Sequence, residues 1–340
     1  MNKILQDDVQ EYVDSFALAN ELHNSTFLIT GATGLIGSTL IHCLMALKQD
    51  IKIIAPVRNM SRAKEKLDDY DDLIFVECDM EKYDFAQLGY VDYIVHCAAP
   101  TSSKYFVEHP VETYHSICNI SDRILEYARV VGVLSMVYLS SLEVYGQILD
   151  DSKPITEDVQ GYLDPMNVRS SYPMAKRAVE NLCCLYASEY KVPVKVARLT
   201  QTMGAGCDSE DNRVIVQFTR LAAQGKDIVL RTTGESARPY CYTTDAVSAI
   251  LYILLRGKNG EAYNVANEET YISAKDLAYF VKEHINPSIN VKFELSDNCE
   301  YAPITKLCLS PSKLESLGWM PRYDLEGILN RLLCYLKTEL

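Results

Sequence analysis

The chain of 340 residues is long enough to bury one large core, or one core with a smaller lobe attached. Its formal net charge of −13 argues against binding to nucleic acid or to an anionic membrane, but still allows a basic pocket that holds a small anion. No stretch approaches the roughly 20 apolar residues that span a bilayer, and the acidic N-terminus lacks the apolar block of a signal peptide. We therefore expect a cytoplasmic protein with no nucleic-acid or membrane partner.

The cysteine pattern indicates the redox environment. Eleven cysteines at irregular spacings, with no Cys-x-x-Cys pair, predict reduced thiols rather than disulfides. No set of cysteines and histidines has the spacing of a zinc site, so no metal is expected.

The first predicted element is an amphipathic helix within residues 1–24. Its apolar side chains fall on one helical face: Leu5, Val9, Tyr12, Val13 and Phe16. We interpret residues 1–24 as an N-terminal helical extension that packs outside the main domain.

Short apolar runs then alternate with longer helical stretches. The runs cover residues 26–30, 52–57, 73–78, 93–97, 136–140 and 194–199. Alternation of this kind is typical of a parallel sheet wrapped by helices, so the fold class is α/β with a doubly wound, Rossmann-type sheet. Residues 25–200 are predicted to form this dinucleotide-binding domain.

The order of elements changes after residue 200. A strand at 227–230 precedes a helix near 245–255, a short strand at 262–265, a helix from Ser273, and a proline-rich, irregular tail with one short final helix. We expect residues 240–266 to return to the Rossmann domain. Residues 201–239 and 267–340 then form a smaller C-terminal substrate lobe over the carboxyl edge of the sheet, where ligands bind in open α/β folds.

A glycine-rich loop lies between the first strand and the first long helix that follows it. The loop reads Thr-Gly-Ala-Thr-Gly-Leu-Ile-Gly over residues 30–37. Its glycines permit a tight turn and a close approach of the backbone to a pyrophosphate, and the helix N-terminus faces the anion. The predicted cofactor contacts are Gly31, Thr33, Gly34, Leu35, Ile36 and Gly37. The spacing resembles that of the short-chain dehydrogenase/reductase superfamily, and the resemblance extends over almost the whole chain.

The end of the second strand bears on the choice of cofactor. Enzymes that prefer NAD usually carry an acid there for the ribose 2′-hydroxyl, whereas this chain has Arg58, whose guanidinium suits the 2′-phosphate of NADP. The sequence therefore favours NADP, with NAD as the alternative. The resemblance further implies that Asp79 and Met80 contact the adenine, and that Ala98 and Ala99 let the cofactor lie close to the backbone.

The predicted catalytic residues are a tyrosine and a lysine one helical turn apart. Tyr172 and Lys176 have i, i+4 spacing, so the lysine can favour the phenolate of a tyrosine whose free pKa of about 10 is too high for a base near neutrality. A second match, Tyr271 and Lys275, has no link to the glycine loop. The fifth strand ends at Ser141, which by resemblance hydrogen-bonds the substrate oxygen, and Lys176 also contacts the cofactor.

Later segments resemble extended members of the family that modify sugar nucleotides, the UDP-glucuronate decarboxylases in particular. The resemblance implies substrate contacts from the loop after the fourth strand, from the segment that cradles the nucleotide base, and from an arginine that binds the diphosphate. These candidates are Thr101, Ser102, Arg213, Val214 and Arg238. Gln201 stands where the family has an asparagine.

The chain departs from its dehydratase relatives after Ser141. They have an Asp-Glu pair that eliminates water, and this chain has Leu142 and Glu143. Elimination of that kind is not expected. Glu143 agrees with the decarboxylase pattern and is a catalytic candidate, and a purely structural role stays open.

The sequence favours one function over two others. The favoured function is NADPH-dependent reduction of a nucleotide-linked keto sugar for surface-polysaccharide synthesis, with a CDP-linked substrate conceivable. A redox-neutral, NAD-dependent 4-epimerase or decarboxylase is the alternative. A non-catalytic sensor of NADP(H) is disfavoured because Ser141, Tyr172 and Lys176 are all present. A homodimer is expected by resemblance.

Overall fold

A seven-stranded parallel sheet forms the centre of the molecule in the computed structural model, which describes residues 1–67, 70–101, 103–208, 211–295 and 303–339. The described strands are β1 (Thr26–Thr30), β2 (Lys52–Val57), β3 (Leu73–Glu77), β4 (Tyr93–His96), β5 (Ser135–Ser141), β6 (Val194–Leu199), β7 (Gln201–Met203), β8 (Ile228–Leu230), β9 (Ala237–Tyr242), β10 (Ala262–Val265), β11 (Asn267–Ser273) and β12 (Val291–Phe293). The central sheet has the order β3–β2–β1–β4–β5–β6–β10. The order reverses between β1 and β4, which opens a crevice at their carboxyl ends. The predicted α/β, Rossmann-type fold is confirmed.

Helices cover both faces of this sheet. The described helices are α1 (Lys3–Ser15), α2 (Leu35–Ala46), α3 (Met60–Lys66), α4 (Ser103–Glu108), α5 (Pro110–Val131), α6 (Ser171–Glu189), α7 (Val214–Ala223), α8 (Thr243–Arg256), α9 (Ala274–His284), α10 (Ser312–Glu315) and α11 (Leu325–Glu339). Alternate residues of β1 face opposite layers, because successive strand side chains point to opposite faces. Phe27 and Ile29 join the core with α2 and α8, and Leu28 joins the core with α5 and α6.

The long helix α5 has clear signals at both ends. Pro110 occupies its first turn, where a missing N–H costs nothing, and Gly132 follows its last residue at a φ of +68°. Its length and position place it beside α6, the helix that carries Tyr172.

Helix α1 packs through one face against the helices of the main domain and against α11. The interpretation of residues 1–24 as an extension outside the main domain stays a prediction. Val9, Tyr12 and Phe16 are buried, and the helix contacts α2, α8 and α11. The apolar face holds the helix against the domain, and the Asp8 carboxylate on it accepts a hydrogen bond from Tyr242 (2.5 Å) and pairs with Arg331.

The later part of the chain contributes a smaller lobe with its own core. A three-stranded sheet has the order β11–β9–β7, and β8 pairs with β12. Helices α7, α9 and α11 pack together through Ile215, Leu277 and Ile328. The final helix α11 has 15 residues, so the expectation of a short one was wrong. Within the described parts of the chain, no helix is long and apolar enough to cross a membrane.

Candidate active site

The glycine loop closes against the backbone after β4. Gly31 has a φ of +69°, and a Cβ there would lie 2.9 Å from the backbone nitrogen of Ala98. A Cβ on Gly37 would lie 2.3 Å from the carbonyl oxygen of Gly31. Both contacts are too short for any side chain, so only glycine permits this packing. Gly34 caps the N-terminus of α2 in an extended conformation.

This loop fits the pyrophosphate of a nicotinamide dinucleotide. The N–H groups in the first turn of α2, which include those of Leu35 and Ile36, have no acceptor within the helix and face the carboxyl edge of the sheet. Ala98 and Ala99 are partly exposed on the other side of the crevice, and Thr33 is partly exposed in the loop. The chain therefore offers an anion cradle and a narrow, small-residue wall at the topological switch point.

A buried histidine that the sequence did not identify as important supports this crevice. His96, at the end of β4, contacts the hydroxyl of Thr30 through Nδ1 (2.7 Å) and that of Ser121 through Nε2 (3.0 Å). Thr30 in turn accepts a hydrogen bond from the backbone N–H of Ala98 (3.2 Å). Burial lowers the pKa of His96 to about 3, so the ring is neutral at physiological pH.

The residues predicted to select the cofactor lie at the ends of β2 and β3. Arg58 is exposed directly after β2. Asp79 pairs with Lys82 (3.1 Å), and this ion pair, together with the N–H of Glu81, lowers the pKa of its carboxyl group. Met80 is buried in the core beside it.

The four catalytic candidates come from three elements that meet at the carboxyl edge of the sheet: β5, the 3₁₀ turn that follows it, and α6. Ser141 is the last residue of β5, and its hydroxyl accepts a hydrogen bond from the N–H of Glu143 (3.2 Å) in the following 3₁₀ turn. Tyr172 and Lys176 lie in α6, one turn apart. The Lys176 ammonium donates to the carbonyl oxygen of Leu139 (2.7 Å) and lies 5.7 Å from the centre of the Tyr172 ring.

Burial dominates the ionisation of this pair. It raises the pKa of the Tyr172 phenol, the Glu143 carboxylate raises it further, and interaction with the Ser141 hydroxyl opposes the rise. Burial also lowers the pKa of Lys176 to about 8. A cation beside a buried phenol can stabilise the phenolate, which gives the arrangement the means to move a proton to and from a substrate hydroxyl.

The second tyrosine–lysine match has a different environment. Tyr271 lies in β11, and its hydroxyl donates a hydrogen bond to Asp151 (2.9 Å). Lys275 lies at the start of α9 and packs against Gly234. The two residues do not share a helix, so the spacing that suggests a catalytic pair has no geometric counterpart here.

Most of the predicted substrate residues lie in the smaller lobe, and Thr101 lies in the loop after β4. Arg238 is partly exposed on β9 and forms no ion pair with any residue in the described ranges. Gln201 lies opposite Tyr240 in the adjacent strand. The Arg213 guanidinium is held by Asp211 (3.0 Å from Nε), directly before α7. Val214, the first residue of α7, and Thr101 are exposed, and Ser102 lies outside the described residues.

The structure adds an arginine that sequence reasoning missed. The Arg169 guanidinium faces the Glu143 carboxylate in two contacts of 3.3 and 3.4 Å. Its central carbon lies 5.4 Å from the centre of the Phe106 ring, which stacks on the Tyr172 ring at 4.3 Å. The one available signal was its position three residues before Tyr172.

Comparison with known proteins agrees with this geometry. The family model described as "NAD dependent epimerase/dehydratase family" matches residues 27–266. UDP-glucuronic acid decarboxylase 3 of Arabidopsis thaliana is 30% identical over 308 residues, covering 90% of this chain and 87% of the relative. UDP-glucuronic acid decarboxylase 1 of Xenopus tropicalis is 27% identical over 322 residues, covering 94% and 74%.

Solved structures have the same fold. The UDP-glucose 4-epimerase of Thermotoga maritima superposes with a TM-score of 0.81 at 23% identity, covering 92% of this chain and 99% of that one. The UDP-glucuronic acid 4-epimerase of Bacillus cereus, in complex with NAD, superposes with a TM-score of 0.76 at 20% identity, covering 92% and 99%. With a family model that matches most of the chain and a relative at 30% identity over nearly all of it, this protein is an enzyme of the NAD-dependent epimerase/dehydratase family.

Proposed function

We propose that this enzyme acts on a nucleotide-linked sugar by hydride transfer at a secondary alcohol carbon, in a redox-neutral reaction that removes the carboxyl group of a uronic acid. The observation that carries the proposal is the set formed by Ser141, Glu143, Tyr172 and Lys176 at the carboxyl edge of the sheet. The relatives with 30% identity are UDP-glucuronic acid decarboxylases, and they favour a UDP-linked uronic acid over the CDP-linked substrate that the sequence left open.

The residues would share the work of oxidising the sugar. Ser141 orients the reacting hydroxyl by a hydrogen bond, and Tyr172 takes its proton. Lys176, fixed by the carbonyl of Leu139, supplies the positive charge that stabilises the phenolate. A nicotinamide dinucleotide held by the glycine loop supplies the hydride acceptor when it is bound, and the reduced form can return the hydride.

Loss of the carboxyl group follows from the position of the new ketone. Oxidation of a hydroxyl β to a carboxylate gives a β-keto acid, whose carbon–carbon bond to the carboxylate breaks to release carbon dioxide and leave an enolate. Ser141 and Tyr172 would hydrogen-bond the oxygen on which that negative charge develops. A proton from water then adds to the carbon that lost the carboxylate and gives a ketone. Return of the hydride to this ketone, with the proton held by Tyr172, restores the alcohol, so no net oxidant is consumed.

A second candidate is NADPH-dependent reduction of a nucleotide-linked keto sugar, in the synthesis of a surface polysaccharide. One observation favours it, which is the exposed Arg58 at the end of β2, where NAD-dependent enzymes usually have an acid. A guanidinium there suits a 2′-phosphate.

One experiment separates the two candidates. The purified protein is denatured, and any released dinucleotide is identified by mass spectrometry. The redox-neutral reaction predicts bound NAD in near-stoichiometric amount, carbon dioxide release from UDP-glucuronate, and no net change in absorbance at 340 nm. Isolation without a dinucleotide, with NADPH bound better than NADH, supports the reductase and contradicts the first proposal.

Two variants complete this test. Tyr172→Phe removes the proton acceptor and is expected to abolish turnover while leaving dinucleotide binding unchanged; undiminished activity would refute its catalytic role. Arg58→Gln is expected to leave NAD binding unchanged. A loss of NADPH binding in the same variant would identify Arg58 as a 2′-phosphate contact.

We also propose that the enzyme is a cytoplasmic homodimer that pairs through α5 and α6. These neighbouring helices expose several large apolar side chains, namely Val111, Tyr114, Val130 and Leu185, and Tyr190 is exposed directly after α6. Sedimentation equilibrium should give twice the chain mass, and Leu185→Glu should shift the protein to a monomer. A wild-type monomer at micromolar concentration contradicts the proposal.

A further inference from the structure

The pair formed by Glu143 and Arg169 lies next to the catalytic tyrosine. The backbone N–H of Glu143, in the 3₁₀ turn after β5, donates a hydrogen bond to the Ser141 hydroxyl (3.2 Å). Both oxygens of that carboxylate face the two terminal nitrogens of Arg169, at 3.3 and 3.4 Å. The contact is therefore a two-point one.

Arg169 is held in place by the same aromatic ring that supports the catalytic tyrosine. Its guanidinium lies 5.4 Å from the centre of the buried Phe106 ring, and that ring stacks on the Tyr172 ring with only 8° between their planes. The backbone of Arg169 is fixed by Asn167, whose side chain accepts the Arg169 N–H (2.9 Å). A single cluster thus joins the ion pair to Tyr172.

Stability is not a sufficient reason for this pair. The Arg169 and Glu143 side chains are 27% and 30% exposed, and ion pairs that reach solvent contribute little to folding. Their arrangement has a local consequence instead, because a carboxylate near a phenol opposes its ionisation and a guanidinium favours it.

Within the described residues, the polar and charged groups that interact with Tyr172 come from four elements. Ser141 and Tyr138 belong to β5, Glu143 to the turn that follows it, and Lys176 to the same helix as Tyr172. Arg169 belongs to the short turn before α6, Val168–Ser170. Glu143 raises the pKa of Tyr172, and Arg169 lowers it.

We propose that Arg169 is a positioning residue: it holds the Glu143 carboxylate in a fixed place and compensates its charge, so that the carboxylate can lie beside Tyr172 without suppressing the transfer of the phenol proton. This inference rests on the proposed role of Tyr172 as proton acceptor. It assigns to Arg169 an effect on pH dependence that a merely structural contact would not have.

The test compares pH profiles of kcat/KM for the wild type, Arg169→Gln, Glu143→Gln and the double variant. Arg169→Gln leaves Glu143 uncompensated, and we expect the apparent pKa of the limb assigned to Tyr172 to rise by about one unit. At pH 7 this corresponds to a loss of about tenfold in kcat/KM. Glu143→Gln should lower the same apparent pKa. The comparison uses the pKa because Glu143 is itself a catalytic candidate and its replacement can change kcat. The double variant should have a pKa between those of the two single variants.

Two further proteins sharpen the comparison. Arg169→Lys keeps the charge but not the two-point contact. The apparent pKa of the Tyr172 limb should therefore lie closer to that of the wild type than to that of Arg169→Gln, while kcat stays reduced. Arg129→Gln is the matched control, because Arg129 forms a two-point pair with Glu126 on α5 at 2.6 and 2.7 Å. Its profile should coincide with that of the wild type.

A measurement without turnover separates this inference from the proposed function. Protein carrying ¹³C at the tyrosine Cζ is titrated by NMR with dinucleotide bound, and the Tyr172 signal is assigned by its absence in Tyr172→Phe. If no sugar nucleotide is converted, the proposed function fails, while the order of the Tyr172 pKa values among the variants still tests Arg169. An unchanged Tyr172 pKa in Arg169→Gln, or a double variant that titrates like Arg169→Gln, overturns the inference.

Discussion

At the scale of single residues, the site depends on a lysine that is costly to bury. Lys176 is 3% exposed and has no carboxylate within ion-pair distance among the described residues. Its pKa of about 8 corresponds to a cost of about 3 kcal/mol for keeping the charge at pH 7. The fold accepts this cost where a cation is needed beside the phenol of Tyr172.

Replacing this lysine should therefore separate stability from activity. In Lys176→Met the burial cost disappears, and the carbonyl of Leu139 loses its hydrogen bond, which costs about 1–3 kcal/mol. We expect the free energy of unfolding at pH 7 to stay the same or to rise by up to about 2 kcal/mol, because the relief of the burial cost equals or exceeds the cost of the lost hydrogen bond. Turnover should fall by about two orders of magnitude or more. Urea unfolding and a turnover assay check both, and a large loss of stability would show that Lys176 is structural.

A second residue-scale prediction concerns acid stability. His96 has a pKa of about 3 in the folded state and about 6.5 when unfolded. Below pH 6.5 the unfolded chain binds a proton that the folded chain does not, so stability falls as the pH drops from 6.5 toward 3. Between pH 7 and pH 5 this group should remove about 2 kcal/mol.

The variant His96→Gln tests that assignment. Glutamine does not titrate and can still hydrogen-bond to Thr30 and Ser121, so the loss between pH 7 and pH 5 should shrink by about 2 kcal/mol. Urea unfolding at the two pH values provides the measurement. An unaltered pH slope would mean that other groups cause the acid sensitivity.

At the scale of elements, α1 shows how one buried charge attaches a helix. The Asp8 carboxylate is 1% exposed and is shared by Tyr242 at the end of β9 and by Arg331 in α11. Because these partners come from distant parts of the chain, the helix joins the smaller lobe to the main sheet. Leu5, on the same helix, packs in both cores.

Removal of this carboxylate should destabilise the protein. Asp8→Ala takes the acceptor from the buried Tyr242 hydroxyl and leaves Arg331 paired with the partly exposed Glu11, and we expect a loss of about 2 kcal/mol in the free energy of unfolding. The control is Asp7→Ala on the same helix, where the carboxylate is partly exposed and, within the described residues, pairs with Lys3. Its stability should equal that of the wild type within error. Equal effects of the two variants in urea unfolding would contradict the role assigned to Asp8.

At the scale of the whole molecule, the two ends of the chain meet. The Asn2 side chain donates to the hydroxyl of Thr338 (2.7 Å), and α1 contacts α11 as well as α2 and α8. The main sheet and the smaller lobe therefore share packed elements and are expected to unfold together.

This connectivity predicts one cooperative transition. Near- and far-ultraviolet circular dichroism should give coincident thermal unfolding curves. Deletion of residues 1–17 removes the shared helix and should separate the curves, with the smaller lobe unfolding first because it has the smaller core. Two separated transitions in the full-length protein would contradict the prediction.

Local patterns in the sequence were sufficient for the main sheet and for the centre of the site. The six strands up to residue 199 were predicted because each is a separate short apolar run. The glycine loop was predicted because its glycines stand where any side chain would clash with nearby backbone. The roles of Ser141, Tyr172 and Lys176 stay predictions, although the structure brings these residues together. By contrast, β7 and β12 have three residues each, and β9 contains Pro239, which argues against a strand.

Only the tertiary structure decided which distant residues face one another. The pairing of Glu143 with Arg169, the burial of Asp8 and the contacts of His96 join residues from separate elements, and no local spacing encodes them. The physical reason is that sequence periodicity reports which face of an element is buried, whereas a polar contact depends on the partner that packing brings to that face. The sequence by itself therefore determined the fold and the catalytic tyrosine–lysine candidates, and the tertiary structure determined the charges that surround them.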